Sequence, residues 1–259
     1  MTSCISPQAQ LGTREIKSKT MWFFSLRRRC VHTSSCLMKK LKGRTPAEQR
    51  WLTRQLRDPY VKASHAQNFR CRSAFKLLEI DDKFKLLQPG FSVVDCGAAP
   101  GAWSQVAVQR VNSAGTDPEL PHGTVVGIDL LNIPPLDGAY FLSSHDVTDP
   151  STHAKLLALL PNNQAHVILS DMAPNASGFQ IMDHEKLVAM CLSLIDLAEK
   201  ILRPGGSLLC KYWDGFLVNK LQEKLLSSFN SVRTIKPRAS RMDSAERYFL
   251  ARTYRKPAK

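Results

Sequence analysis

Lys211 ends the apolar run Leu208-Leu209-Cys210 and is followed by Tyr212, Trp213, Asp214 and Gly215. Ammonium groups are rarely buried without a partner, so a lysine at the tip of a core strand asks for a role. Other apolar runs end on charge in the same way. "FSVVDCG" carries Asp95, "GTVVGIDLL" carries Asp129, "GAYFLSSHDV" carries Asp146 and "AHVILSDMAPN" carries Asp171. Each alone could be a solvated strand end; together they describe one charged edge. Beside them stands a glycine turn, "VVDCGAAPGAWSQ", with Gly97 and Gly101 ahead of a helical pattern. Glycine permits a tight turn and a close ligand, and a helix start offers free N–H groups to an anion. The spacing is not that of a dinucleotide fingerprint, and Pro100 stiffens the turn. Asp129 follows Gly97 by 32 residues, against about 20 in that fingerprint. An adenosine-containing cofactor other than NAD fits better. Asp129 suits the ribose hydroxyls, and Asp146 suits the adenine amino group.

Such residues need a scaffold that gathers strand ends. Short apolar runs ending at turn residues read as buried strands. "GAWSQVAVQRV" reads as a helix. The segment from Asp183 to Gly206 has apolar residues at helical period and stops at Gly205-Gly206, so "SLLCKYW" begins the next strand. "DGFLVNKLQEKLLSSF" is a further helix, and "SVRTIK" and "ERYFLARTY" are two last strands. "RSAFKLLEI" is expected to be a helix with Phe75, Leu78 and also Leu77 inward and Lys76 on its polar face. Strands alternating with helices specify an α/β fold with a mostly parallel sheet. Two consecutive strands at the end add an antiparallel closure. Sheets of this class bind ligands beyond the carboxyl ends of their strands, where the charged residues fall.

The chain has 259 residues, 43% of them hydrophobic, enough for one sizeable domain. No run approaches the roughly 18 apolar residues of a membrane span. Against 22 acidic residues stand 36 basic ones, a formal charge of +14, which points to a polyanionic partner. Residues 1–44 hold ten basic residues and one acid, and residues 231–259 hold nine and two. "MWFFSLRRRCVHTSSCLMKK" is rich in Arg and Ser/Thr and free of acids, as in a mitochondrial presequence; the alternative is a basic arm that binds RNA. The expected organisation is a presequence over 1–44, starting at Met1 or Met21, and a folded domain over 45–259. Seven cysteines without a CxxC pair speak against a disulfide framework or a zinc site, and for a reducing compartment. Residues 112–123 are expected to form a surface loop.

"DCGAAPGAWSQ", Asp129 in "DLL", "SDMAPNASG", "RSAFKLLEI", "RPGGSLLCKYW" and "SRMDSAERYFLA" resemble the FtsJ/RrmJ family of S-adenosylmethionine-dependent RNA ribose 2′-O-methyltransferases. The resemblance covers roughly residues 57–254. It implies a single Rossmann-like methyltransferase fold, with a seven-stranded, mostly parallel sheet and helices on both faces. It implies S-adenosylmethionine as cofactor, held by Gly97, Pro100, Gly101, Ala102, Trp103, Asp129, Asp146 and Asp171, and no metal. Ala102 stands where the family commonly has glycine. The family's Lys-Asp-Lys-Glu tetrad falls on Lys76, Asp171, Lys211 and Glu246. Methyl transfer from a sulfonium is an in-line displacement, and the poor nucleophile is the ribose 2′-OH. Lysine with its ordinary pKa of about 10.4 is nearly all protonated at neutral pH. A neighbouring ammonium and neighbouring carboxylates act on it in opposite directions, and residue types do not fix the balance. The resemblance implies that Lys211 orients the hydroxyl and accepts its proton. "SDMAP" also resembles the loop of base amino-methyltransferases, but lacks the aromatic that would stack a flipped base.

Within the family, the member that modifies a uridine of mitochondrial large-subunit ribosomal RNA fits the presequence best. The expected partner is then ribosomal RNA within a large-subunit assembly intermediate, in the mitochondrial matrix, met by a monomer. The alternatives are a tRNA or cap 2′-O-methyltransferase, and an RNA-binding assembly factor with incidental catalysis. Arg54, Arg57, Lys62, Arg70 and Arg72 are phosphate candidates, with a solvated helix face as the competing reading. Tyr60 could stack on a base. Arg238, Arg241 and Arg247 are better placed through their nearness to Glu246.

Overall fold

The computed structural model of the protein describes residues 43, 45–175 and 177–256. The expected presequence, save Gly43, lies outside them. Two units divide the chain, one up to Thr53 and one from Arg54 onward. Helix α1 (Pro46–Arg57) opens with a reciprocal cap: the Thr45 N–H donates to Glu48 Oε2 at 2.8 Å and the Glu48 N–H to Thr45 Oγ1 at 3.3 Å. The second unit carries the sheet.

Its elements are α2 (Pro59–Ala66), α3 (Ala74–Phe84), β1 (Ser92–Cys96), α4 (Ala102–Val111), β2 (Thr124–Asp129), β3 (Ala139–Ser143), α5 (Pro150–Leu159), β4 (Ala165–Ser170), α6 (Gln180–Ile201), β5 (Leu202–Trp213), α7 (Val218–Ser228), β6 (Phe229–Ile235) and β7 (Glu246–Tyr254). The seven strands lie in the order β3-β2-β1-β4-β5-β7-β6. Only β7 among them runs antiparallel to its neighbours, β5 and β6. The α/β reading and the closing antiparallel strand hold. Strand order reverses at β1, which lies between β2 and β4. The crevice beyond these strand ends is where such sheets take ligands.

Both faces are covered. One core packs α3 and α4 on Val93, Val125, Leu169, Leu209, Tyr248 and Leu250. The other packs α5, α6 and α7 on Val94, Val126, Ile168, Leu208, Cys210 and Phe249. Each fully buried branched side chain contributes about 1.5–3 kcal/mol. Cys96, Cys191 and Cys210 are unpaired core residues. Helix α3 buries Ala74, Leu77 and Ile80, a stripe of period three, while Phe75 and Leu78 are half-buried; Leu77 faces inward as expected, and the buried stripe runs to Ala74 and Ile80 rather than to Phe75 and Leu78. Asp149 caps α5 by accepting from the Ser151 N–H at 2.8 Å, with Pro150 in the first turn; this start signal passed unread. β5 begins at Leu202, not at Ser207. Leu202 pairs with Ala165 and Ser207 with Val167, so residues 203–206 bulge out against one residue of β4. Pro and Gly in a strand mark such a bulge. The expected surface loop over 112–123 is organised by Asn112, whose side-chain amide donates to the carbonyls of Asp117 and Leu120 at 2.8 and 3.1 Å.

Candidate active site

β1 ends in the glycine turn. Gly97 has φ +74°, and a Cβ there would lie 2.1 Å from Met172 Cγ. Gly101 has φ +102°, and its Cβ would lie 2.3 Å from an Arg70 nitrogen. Both positions therefore favour glycine on backbone angle, and a side chain at either would also have to displace Met172 or the Arg70 guanidinium. Arg70 ties the turn to a neighbouring loop: Nη1 donates to the carbonyls of Pro100 at 2.9 Å and Pro134 at 2.8 Å, and Nη2 to Pro135 at 2.5 Å.

A cavity of about 690 Å³ opens beside this turn, lined by Gly97, Ala99, Asp129, His145, Asp146, Thr148, Asp171 and Met172 among others. Asp129 Oδ2 accepts from the Ala99 N–H and Oδ1 from the Leu131 N–H, both at 2.8 Å. Asp146 Oδ1 accepts from the backbone and the hydroxyl of Thr148, each at 2.8 Å, while no hydrogen bond among the described residues engages its Oδ2. Gly97, Asp129, Asp146 and Asp171 therefore share one cavity. Ala102 and Trp103 do not line it. Both side chains are buried in the core under α4, and the Trp103 indole donates to the Ser73 carbonyl at 2.9 Å. The turn before them and their backbone are what they can offer a cofactor. Asp95 is also turned inward. It is 1% exposed and accepts from Ser104 Oγ at 2.6 Å. Burial pushes its carboxyl up to about 7, with Asp171 and Asp129 adding to the rise.

The tetrad residues converge at the same edge. Lys211 Nζ lies 3.1 Å from Asp171 Oδ1 and 3.9 Å from Glu246 Oε2, and it donates to the Asp171 main-chain carbonyl. Lys76 Nζ lies 2.7 Å from Glu246 Oε1 and 3.7 Å from Asp171 Oδ1. Lys211 is only 8% exposed. Two ammonium and two carboxylate groups thus form a closed network, which is how buried charge is tolerated. It is fed from α3, the end of β4, the end of β5 and the start of β7.

Two supporting residues were not singled out from sequence. Tyr248 pairs with Lys211 across the β5–β7 ladder, and its hydroxyl donates to Asp171 Oδ1 at 2.6 Å. Burial, then the charges of Asp171 and Glu246, hold that phenol well above its ordinary pKa, so it remains a donor. Lys76 Nζ sits 5.8 Å from its ring centre. Ser240 donates to Glu246 Oε1 at 2.8 Å. Tyr248 was legible in principle, because it lies two residues after Glu246 on one strand face.

The basic candidates divide. Arg70 is occupied by loop carbonyls, as described. Arg72 is bonded to Asp58 and to the Ala239 carbonyl, and Arg241 lies 3.6 Å from Asp58. These three hold the fold around the site. Arg54, Arg57, Lys62 and Arg238 have exposed side chains. Arg247 is paired with Asp214 at 3.1 Å. Among the described residues no helix is long and apolar enough to cross a membrane.

Residues 69–254 match the FtsJ-like methyltransferase family. The chain is 41% identical to "rRNA methyltransferase 2, mitochondrial" of Drosophila melanogaster, over 88% of this chain and 98% of that one. It is 43% identical to "Ribosomal RNA large subunit methyltransferase E" of Xanthobacter autotrophicus, over 84% of this chain and 83% of the other. A crystal structure from Plasmodium falciparum, described as that of a ribosomal RNA methyltransferase, matches with a TM-score of 0.63 and 27% identity, covering 72% of this chain and 98% of its own.

Proposed function

The chain belongs to the FtsJ-like methyltransferase family, and from that premise we propose that it transfers a methyl group from S-adenosylmethionine to a ribose 2′-oxygen of mitochondrial large-subunit ribosomal RNA. Its action as a ribosomal RNA methyltransferase follows from its relatives; the ribose target, the uridine, the assembly intermediate and the mitochondrial matrix are the finer parts of the proposal. The observation that carries it is the convergence of Lys76, Asp171, Lys211 and Glu246 beside the glycine-turn cavity.

The cavity suits the cofactor. Its volume of about 690 Å³ is within the roughly 300–1,000 Å³ usual for small-molecule sites. Asp129 and Asp146 offer acceptors for ribose hydroxyls and the adenine amino group, and Gly97 and Met172 line the cavity beside them. When bound, S-adenosylmethionine supplies a methyl group already activated on a sulfonium. The protein's part lies with the hydroxyl. Asp171 and Glu246 fix the two ammonium groups, and Tyr248 and Ser240 fix the carboxylates. Lys211 orients the 2′-hydroxyl and, in its neutral amine form, having first given up a proton to solvent, takes the hydroxyl proton as the new carbon–oxygen bond forms and becomes the ammonium again, a contribution of roughly 10²–10⁴ in rate. Alignment of hydroxyl and methyl contributes at least comparably. Asp171 touches both the cavity and the tetrad, and so couples cofactor position to the reacting group.

The test uses large ribosomal subunits from cells depleted of the protein, tritiated-methyl cofactor and nucleoside digestion. Label is expected on the sugar of one large-subunit rRNA nucleotide. Label on a base, or on tRNA alone, would overturn the proposal.

A further inference from the structure

Of the eleven large apolar side chains left in solvent among the described residues, seven gather at one edge, while Leu56, Leu120, Tyr140 and Leu226 lie elsewhere. Leu130 and Leu131 follow β2, Phe179, Ile181 and Met182 follow β4, Phe216 follows β5, and Met242 precedes β7. Ile181 and Met182 lie in the first turn of α6 and the others in connections, all at the carboxyl edge of the parallel strands, the edge that carries the tetrad. Leu130 and Leu131 line the cavity described above; the rest have no role there. Such a concentration marks an interaction surface rather than ordinary scatter.

Phe216 is the member held most firmly. On one side of it, the Asp214 N–H donates to the Ala245 carbonyl at 3.1 Å, and the Asp214 carboxylate takes Arg247 Nε at 3.1 Å. On the other side, the Leu217 N–H donates to His184 Nε2 at 3.2 Å. A Cβ on Gly215 would fall 2.6 Å from the His184 ring, so the loop is pressed against that imidazole. The Phe216 and His184 ring centres are 5.0 Å apart. His184 is buried, yet Phe216 is 62% exposed. The phenyl ring thus has one supported side and one open side, on a loop tied at both ends. A ring fixed in this way loses little freedom when something stacks on it.

Its place relative to the chemistry follows from the ladder. Trp213 pairs with Glu246 and Lys211 with Tyr248. Phe216 is three residues past Trp213, so its Cα lies within about 11 Å of that strand end by chain reach. We infer that Phe216 is the stacking site for an unpaired RNA base, that of the methylated nucleotide or its immediate neighbour. This rests on the reading of the substrate as a ribose of ribosomal RNA. RNA is read chiefly through unstacked bases laid on aromatic and guanidinium planes. Arg247 borders this loop, and Arg238 and Lys236 lie on the connection that leads to Glu246. Arg247 is paired with Asp214, but Lys236 and Arg238 are exposed on that connection, and their charge favours a polyanion over an apolar protein patch. The ring makes no contact with the tetrad in these terms; Phe216 positions the substrate and takes no part in the proton transfer.

The test compares Phe216→Ala, Phe216→Leu and Phe216→Trp with the parent protein on large subunits lacking the modification. Steady-state methylation, cofactor affinity and thermal midpoint are read for each. Stacking on an aromatic is lost in the first two, so KM is expected to rise about 10- to 100-fold with kcat changed little. Phe216→Trp should restore it, with cofactor affinity unchanged throughout. A Leu variant equal to the parent would overturn the inference, since an apolar contact without a ring would then suffice. Benzoylphenylalanine placed at position 216 supplies a second arm, independent of turnover. Crosslinking to rRNA beside the modified ribose supports the stacking site, and crosslinking to a ribosomal protein alone refutes it. A parent protein that transfers no methyl to rRNA sugar would defeat the proposed function, while the crosslink still decides the role of Phe216.

Discussion

Replacing Lys211 by methionine separates what the lysine does for the fold from what it does for the reaction. Methionine keeps the length and apolar stem and removes the ammonium. At 3.1 Å from Asp171, the direct attraction is about 5 kcal/mol at an effective dielectric of 20. Most of that is offset by desolvation, and Asp171 keeps the Tyr248 hydroxyl at 2.6 Å and Lys76 at 3.7 Å. A net loss of about 1–3 kcal/mol in stability is expected, read as a fall of roughly 2–10 °C in thermal midpoint. The catalytic loss is larger: about 10²–10⁴ in turnover, or about 3–5 kcal/mol in the barrier. The informative variant is Lys211→Met with Asp171→Asn. Removing one positive and one negative group restores the charge balance, so the double variant should lose less stability than the two single losses add up to. Turnover should not recover at all. The assays are tritiated-methyl transfer, calorimetric cofactor binding and thermal denaturation on the same preparations. Lys211→Met retaining more than a tenth of parent turnover, with cofactor bound normally, would refute the role given to this residue.

Other expectations follow from the same geometry. Asp95 has its carboxyl raised to about 7 in the fold against about 3.9 in the unfolded chain, so the folded state holds the extra proton and stability is lost as pH rises from about 4 to about 7. Asp95→Asn should therefore denature at a higher temperature than the parent at pH 8 and at about the same temperature at pH 4; the difference between the two proteins excludes His166, whose depressed pKa acts with the opposite sign below its ordinary value. An equal pH dependence in both proteins would refute this. Gly97→Ala meets Met172 and a positive φ; about 1–2 kcal/mol of backbone strain and a marked loss of cofactor affinity are expected, and adding Met172→Ala should relieve only the steric part, as measured by thermal midpoint and calorimetry. Arg70→Ala should weaken cofactor binding while leaving the salt dependence of RNA binding unchanged, because its donors are already spent on carbonyls. Arg238→Ala should lower the salt slope by about one with cofactor binding intact; titrations at several ionic strengths distinguish the two arginines.

The strands and the charged edge were legible because each used a short-range signal. Apolar runs closed by Asp or Lys gave β1, β2, β4 and β5, and the structure brings Asp129, Asp146, Asp171 and Lys211 to one edge. Asp95 belonged to the same pattern but turned inward, because its partner Ser104 sits nine residues on, in a helix that folds back over the strand. Arg70 and Arg72 looked like phosphate ligands for a related reason. Composition reports a charge; it does not report the Pro100, Pro134 or Ala239 carbonyl that consumes it. Ala102 and Trp103 were placed near the cofactor by their position in the motif, whereas helical phase directs their side chains to the core. The start of β5 was set by pairing with Ala165, a contact across the sheet that overrode the helix-stop signal of Gly205-Gly206.

The antiparallel strand explains why the fourth tetrad residue comes so late in the chain and from the wrong end of its element. Parallel strands deliver their last residues to the ligand edge, as β4 and β5 do with Asp171 and Lys211. β7 runs the other way, so it delivers its first residue, Glu246. Side chains alternate along a strand, which puts Glu246 and Tyr248 on the face covered by α3, where Lys76 waits, and puts Arg247 on the opposite face. A slip of one residue in the β5–β7 register would bring Arg247 to the network in place of Glu246. Three positive groups would then face one carboxylate in a site where Lys211 is nearly buried. The same slip would turn Phe249 and Ala251 out of their core and replace them with Tyr248 and Leu250. Packing and charge thus penalise the same error, so the sheet register that completes the core is also the one that neutralises Lys76 and Lys211.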